Sequence, residues 1–179
     1  MKKLIYLTGF MGSGKSAIGP ILSNTIGWEF FDLDRVIETR FNKRVTEIFE
    51  NNGEAYFREQ ETGILSELAL KDNAVISLGG GTIASEVNLQ ILKKNSLIIY
   101  LKTSPEVVYE RLKNKRDRPI FKNETSGEVS RKQFLEKIKK LMENRVIYYE
   151  QADVTFSTDH KSIGLTVDEI AKYVYKEIR

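Results

Sequence analysis

Leu4-Ile5-Tyr6-Leu7, followed closely by Gly9-Phe10-Met11-Gly12-Ser13-Gly14-Lys15-Ser16, carries the fold signal of this chain. Four apolar residues ending near a glycine read as a buried strand feeding a tight turn. Ala17-Ile18 and Ile21-Leu22 then recur at helical spacing, so the turn opens into a helix. Gly9-x4-Gly14-Lys15-Ser16 meets every fixed position of the phosphate-binding loop pattern. Its glycines let the backbone turn N–H groups inward, making an anion-binding nest at a helix N-terminus. Lys15 then reaches the β- and γ-phosphates of a nucleotide, and the Ser16 hydroxyl is placed for Mg²⁺. Gly12, Ser13, Gly14, Lys15, Ser16 and Ala17 are the expected ATP-binding residues. A glycine-rich turn without a ligand is the plainer alternative, and the strand-turn-helix context argues against it.

Further strands are expected at residues 28–32, 74–78 and 97–101, with a weaker one at 154–156. Helical patterns occupy 34–41, 45–51, 54–71, 85–94, 104–114, 130–150 and 166–178. Short, nearly all-apolar strands alternating with helices indicate a parallel sheet covered on both faces. In such sheets ligands bind beyond the carboxyl ends of the strands. Gly9, Asp32 and the Gly79-Gly80-Gly81 run all follow strand ends, so they are expected to converge on one crevice. The polar, basic stretch 113–127 lacks helical periodicity. It reads either as a surface loop or as a mobile lid that closes over phosphates.

The 179 residues suit a single domain, 1–179, with 41% hydrophobic and 30% charged residues. A formal charge of +3 is too mild for a nucleic-acid partner. The absence of cysteine excludes disulfides, thiolate catalysis and cysteine-ligated zinc. Residues 4–7 are too short for a signal-peptide core, and no run approaches the ~20 apolar residues of a membrane span. A cytoplasmic protein with no membrane partner is the expectation. So is a monomer, because no exposed apolar helix face is left over.

For the group that receives the phosphate, Phe31-Asp32-Leu33-Asp34 places two carboxylates at a strand end. Asp32 is suited to assist a metal through water, and Asp34 to accept or orient a substrate hydroxyl proton. The alternative for Asp34 is capping of the helix that begins at Arg35. Arg58 extends the row Glu61, Leu65, Leu68, and Arg145 lies in the stripe Phe134, Ile138, Leu141, Tyr148, so both point inward. A buried arginine needs an anionic or carbonyl partner. Either these two pair internally, with Glu61 a candidate partner, or they await a carboxylate or phosphate on the acceptor. Gly79-Gly80-Gly81 reads as a tight turn or as backbone that approaches a ligand. Arg118, beside Pro119, is a surface arginine or a lid group that stabilises the transferring phosphoryl charge.

Five further segments accompany the phosphate loop and span almost the whole chain. They are Phe-Phe-Asp-Leu-Asp at 30–34, Ile-Phe-Glu-Asn-Asn-Gly-Glu-Ala-Tyr-Phe-Arg-Glu at 48–59, Ser-Leu-Gly-Gly-Gly-Thr at 77–82, Arg-Pro-Ile at 118–120 and Glu-Asn-Arg-Val-Ile-Tyr-Tyr at 143–149. In order and spacing the chain resembles the shikimate kinase family. The resemblance implies an α/β three-layer sandwich with a five-stranded parallel sheet, of the P-loop, nucleoside-monophosphate-kinase-like fold. It implies a substrate-binding helical subdomain at about 33–61 and a mobile lid at about 113–127. It implies phosphorylation of the 3-hydroxyl of shikimate by ATP with one Mg²⁺, a step of aromatic amino acid biosynthesis. By similarity Lys15, Asp34 and Arg118 are catalytic, while Ser16, and Asp32 through water, hold the metal. Arg58, Arg145, Asp34 and the backbone of Gly79, Gly80 and Gly81 bind shikimate, and Arg111 brackets the adenine. The late loop 157–162 lacks the family's proline, so no adenine contact is carried onto it, and His160 reads as an exposed loop residue.

Asn114-Lys115-Arg116-Asp117 spells the guanine-recognition tetrapeptide of small GTPases. Here it follows a helix pattern rather than a strand, and no Asp-x-x-Gly segment follows a strand. It reads as a chance match. A gluconate or nucleotide kinase is the nearer rival, but neither needs both the Asp32–Asp34 pair and the triple glycine. A non-enzymatic ATP-binding module would bind nucleotide without turnover.

Overall fold

In the computed structural model, which describes residues 3–113 and 131–177, five strands form one parallel sheet in the order β2-β3-β1-β4-β5. β1 (Leu4–Thr8) leads into α1 (Lys15–Ile26), β2 (Glu29–Asp32), α2 (Leu33–Phe41) and α3 (Val45–Leu68). Then come β3 (Ala74–Ser77), a 3₁₀ turn (Thr82–Ala84), α4 (Glu86–Leu92), β4 (Ser96–Lys102) and α5 (Pro105–Leu112). After the undescribed segment follow α6 (Arg131–Tyr149), β5 (Val154–Ser157) and α7 (Ile163–Glu177).

The central strands are apolar at nearly every position because helices cover both faces. On one face Ile5, Leu7, Val75, Leu97 and Ile99 pack against Ile18 and Leu22 of α1 and Ile170 and Val174 of α7. On the other, Leu4, Tyr6, Ile76, Ile98 and Tyr100 meet Leu33, Ile37, Phe57, Leu65, Leu92, Val108 and Tyr149. Each such fully buried aliphatic side chain contributes roughly 1.5–3 kcal/mol. Adjacent residues of one strand serve opposite cores, which fixes the register of the three-layer α/β sandwich. β5 is an edge strand with alternating burial, and this explains its weak sequence signal.

The helical patterns at 45–51 and 54–71 join into one element. Gly53, at φ 82 and ψ 169, breaks the helical geometry between them, a conformation only glycine adopts without strain. The helix stops at Leu68, short of the pattern's end, and Leu70 is 86% exposed. α7 starts three residues before the periodicity does, because the Ser162 hydroxyl accepts from the Leu165 N–H and so caps it. No helix among the described residues is long and apolar enough to cross a membrane. Arg118, the tetrapeptide 114–117 and nearly all of the 113–127 lid lie outside the described residues. Asn114 nevertheless follows α5, not a strand, as the reading against a GTPase requires.

Candidate active site

The phosphate loop sits between β1 and α1 with Gly9, Gly12 and Gly14 at positive φ. At Gly9 a side chain is excluded twice over, since a Cβ would also lie 2.6 Å from the Leu101 carbonyl oxygen. The amides of Gly12, Gly14 and Ser16 donate to no acceptor among the described residues, so they stand open to an anion at the start of α1. The Ser13 N–H donates to the Phe10 carbonyl (3.1 Å), and the Ala17 N–H to the Gly14 carbonyl (3.0 Å). The Ser13 side chain is fully buried, so its hydroxyl faces the loop's interior. Lys15 Nζ folds back onto the carbonyls of Gly9 (2.8 Å) and Phe10 (3.1 Å). Both acceptors are neutral backbone carbonyls, and the Lys15 charge also acts on Asp34.

Asp32 and Asp34 divide their work differently from the capping alternative. Asp32 is the cap: its Oδ1 accepts from the Arg35 N–H (3.3 Å), and its Oδ2 accepts from the Ser16 hydroxyl (3.3 Å). Asp34 lies one step inside the helix, so its carboxyl is released to line the cleft. Burial, reinforced by the charges of Asp32, Glu61 and Glu38 against the opposing Lys15, pushes that carboxyl from 3.8 up to about 6. A carboxylate poised this close to neutrality suits proton transfer.

Asp34 and Glu61 approach each other across Gly79. A Cβ on Gly79 would stand 2.9 Å from Asp34 Oδ1, 3.0 Å from Thr82 Oγ1 and 3.2 Å from Glu61 Oε1. The first glycine of the triplet is therefore required by close packing. Glu61 is 1% exposed and accepts from Arg58 Nη1 (2.8 Å) and Thr82 Oγ1 (2.7 Å). Thr82 is held in turn by Asn88, whose amide donates to the Thr82 carbonyl (3.0 Å). Arg58 also donates to Glu54 (3.3 Å) and lies flat against Gly81. Burial works against its charge, but Glu61 and Glu54 outweigh that and raise its pKa. The internal pairing anticipated with Glu61 thus belongs to Arg58.

Arg145 is differently placed. It forms no ion pair with a described carboxylate, lies 6.0 Å over the Phe10 ring, and lines the cleft beside Gly80. The cleft, about 730 Å³, brings together the phosphate loop, Asp32, Asp34, Gly80, Arg111 and Arg145. Arg58, Gly79 and Gly81 adjoin this region without lining the cleft itself, and the Arg58 side chain is 35% exposed. Arg111 spans the far end, donating to the carbonyls of Gly12 (2.9 Å) and Thr158 (2.7 Å). Thr158, Lys161 and Ile163 complete this end, so the late loop is part of the cleft despite its missing proline. Asp159 anchors the loop by accepting from Thr103 Oγ1 (2.7 Å) and the Ser104 N–H (3.0 Å). Nothing in the local sequence of 157–162 announces that role, because its partners are 55 and 56 residues away.

A nucleotide-type phosphate loop facing a raised carboxyl and an arginine across one cleft defines a small-molecule kinase of the P-loop class. The family model for shikimate kinase matches residues 11–179. The shikimate kinase of Chlorobaculum parvum is 42% identical over 98% of this chain and 94% of its own length, and that of Chlorobium luteolum 43% over 98% and 87%. The structure of the Acinetobacter baumannii shikimate kinase in complex with shikimate superposes with a TM-score of 0.87, at 30% identity and 98% and 94% coverage. That of the Aquifex aeolicus shikimate kinase gives 0.78, at 34% identity and 98% coverage of both chains. The chain belongs to the shikimate kinase family.

Proposed function

We propose that this chain transfers the γ-phosphate of ATP to the 3-hydroxyl of shikimate. The observation that carries the reading is the placement of Asp34 and Arg145 on the same cleft as the phosphate loop. The loop's open amides and Lys15 hold the nucleotide phosphates. Asp34 Oδ engages the 3-hydroxyl and takes its proton as that oxygen bonds to the γ-phosphorus and the bond to ADP breaks. Arg145 grips the shikimate carboxylate, the only anionic group the acid brings. Arg58, backed by Glu61 against the Gly81 backbone, supports the same carboxylate from α3. Residues 33–61 thereby form the substrate-binding region. Arg111 and the late loop face the nucleoside, and Arg118 of the 113–127 lid completes the charge around the transferring group.

The residues fit one Mg²⁺ of the kind that accompanies ATP. Such an ion keeps most of its waters and takes one or two protein oxygens plus phosphates, rather than an all-protein cage. Ser16 Oγ and Asp32 Oδ2, already 3.3 Å apart beside the phosphate loop, are such a pair. Among the described residues no cluster of three or more acidic or histidine ligands competes with them. When bound, the ion neutralises charge on the β- and γ-phosphates.

ADP release with ATP and Mg²⁺, compared for shikimate, gluconate, AMP and no acceptor, tests the assignment. Strong stimulation by shikimate alone is expected, and equal rates with all four overturn it. Arg145→Ala is expected to raise KM for shikimate by about 10²-fold, as loss of a charge-assisted hydrogen bond implies, with KM for ATP little changed. An unaltered KM for shikimate removes Arg145 from the acceptor site.

A further inference from the structure

Tyr149 closes α6 one helical turn after Arg145, on the same helix face. Its side chain is 1% exposed, yet its hydroxyl reaches the active-site turn and donates to the Gly80 carbonyl at 2.7 Å. The ring cannot drift, because it stacks on Tyr100 of β4 with centroids 5.2 Å apart and planes 29° apart. Arg145 Nη1 and Tyr149 Oη converge on Gly80: a Cβ there would lie 3.1 Å from the first and 3.7 Å from the second. A phenol has one proton. With that proton committed to Gly80, the oxygen faces Arg145 only as an acceptor, which is what a guanidinium needs.

We infer that Tyr149 is a positioning residue for the acceptor site: its hydroxyl bridges the Gly80 carbonyl and Arg145, holding the guanidinium ready for the shikimate carboxylate. The inference rests on the reading of Arg145 proposed above. Burial raises the Tyr149 hydroxyl pKa, and the charge and hydrogen bonding of Arg145 pull partly against that, consistent with the contact. The physical need is specific to Arg145. An arginine side chain carries much rotamer entropy, and ordering it only when the ligand arrives weakens binding. Arg58 meets this need with two carboxylates, which also compete with the ligand for its charge. A neutral tyrosine oxygen orders Arg145 without occupying its charge.

The test compares wild type, Tyr149→Phe, Arg145→Ala and the double variant by steady-state kinetics and thermal melting. Phenylalanine keeps the ring and its stacking on Tyr100. Loss of one hydrogen bond of positioning is expected to raise KM for shikimate about fivefold, with kcat and KM for ATP within about twofold. In the Arg145→Ala background, Tyr149→Phe is expected to add nothing to that KM. A KM for shikimate unchanged by Tyr149→Phe while Arg145→Ala raises it overturns the inference alone. So does a lowered melting temperature with unchanged KM, or a Tyr149→Phe effect that persists in full without Arg145. An Arg145→Ala KM equal to wild type overturns the reading of Arg145 and this inference with it. Where Tyr149→Phe lowers the yield of folded protein, calorimetric shikimate affinity of the folded fraction supplies the same comparison.

Discussion

Replacing Asp34 with asparagine is expected to cut kcat by about 10²–10⁴-fold while making the protein more stable above neutral pH. Both effects come from one geometric fact. Asp34 lies withdrawn from solvent, with Asp32, Glu61 and Glu38 around it, and its carboxyl is pushed up to about 6. The fold therefore prefers the protonated form. The stability that protonation contributes is complete below the unfolded value of 3.8 and is lost as pH rises through about 6. Above that, the native state carries a buried carboxylate at a cost of about 3 kcal/mol or less. Asparagine has no charge to desolvate. Its variant should melt about 5 °C higher than wild type near pH 8. That gain should shrink steadily as pH is lowered towards about 4.5, where wild-type Asp34 is itself protonated. In wild type, kcat/KM should fall on the acid side with a midpoint near 6. Unchanged kcat in Asp34→Asn removes Asp34 from proton handling. A variant less stable than wild type at alkaline pH shows instead that the carboxylate is favourably partnered in the fold.

Glu61→Ala has the largest expected structural effect. Its carboxylate is the deepest charge in the acceptor half of the site, shared between Arg58 Nη1 and Thr82 Oγ1. Truncation leaves a half-buried guanidinium and a buried hydroxyl without that acceptor. Because Arg58 retains Glu54 and some solvent, the loss should be about 3 kcal/mol, the low end for breaking such a pair. For a chain of this size that lowers the melting temperature by about 6–12 °C. Glu61→Gln keeps an acceptor for Thr82 and should lie between. Both variants also remove a negative charge that helps to hold the Asp34 carboxyl up. The acid limb of the pH–rate profile should therefore move to lower pH in the Gln variant, which folds well enough to measure. A melting temperature within about 2 °C of wild type and an unmoved limb together overturn this account of Glu61.

Much of the site is legible in short segments because its parts follow strand ends. Once residues 4–7 are read as a buried strand, Gly9 to Ser16 must be a loop at the sheet's carboxyl edge. The same logic brings Asp32 and Gly79 to that edge. Helical spacing correctly turned Arg58 and Arg145 towards the interior. The Arg58–Glu61 contact is itself a local i,i+3 helix pair, whereas the surroundings of Arg145 depend on how α6 packs against the turn after β3. Helical spacing did not separate the two aspartates. The helix begins at Leu33, two residues before the Arg35 start that would make Asp34 the cap, so Asp32 caps it and Asp34 is freed. Arg118 and the lid lie outside the described residues, so their part rests on the resemblance and the proposal built on it.

Sequence by itself determined the phosphate loop, the α/β alternation and the candidates for the chemistry. These depend on local rules: which residues tolerate positive φ, which runs are apolar on both faces, which spacings share a helix face. Tertiary structure alone decided the partners. It gave Glu61 to Thr82, left Arg145 on the cleft wall beside Gly80, with Tyr149 behind it, and drew Arg111 to the late loop. Tyr149 and Gly80, and Arg111 and Thr158, are far apart in the chain, and the raised Asp34 carboxyl comes from burial together with the charges of Asp32, Glu61 and Glu38. A charge's partner and a carboxyl's acidity are set by what stands next to it in space, which a local pattern encodes only for neighbours on one helix.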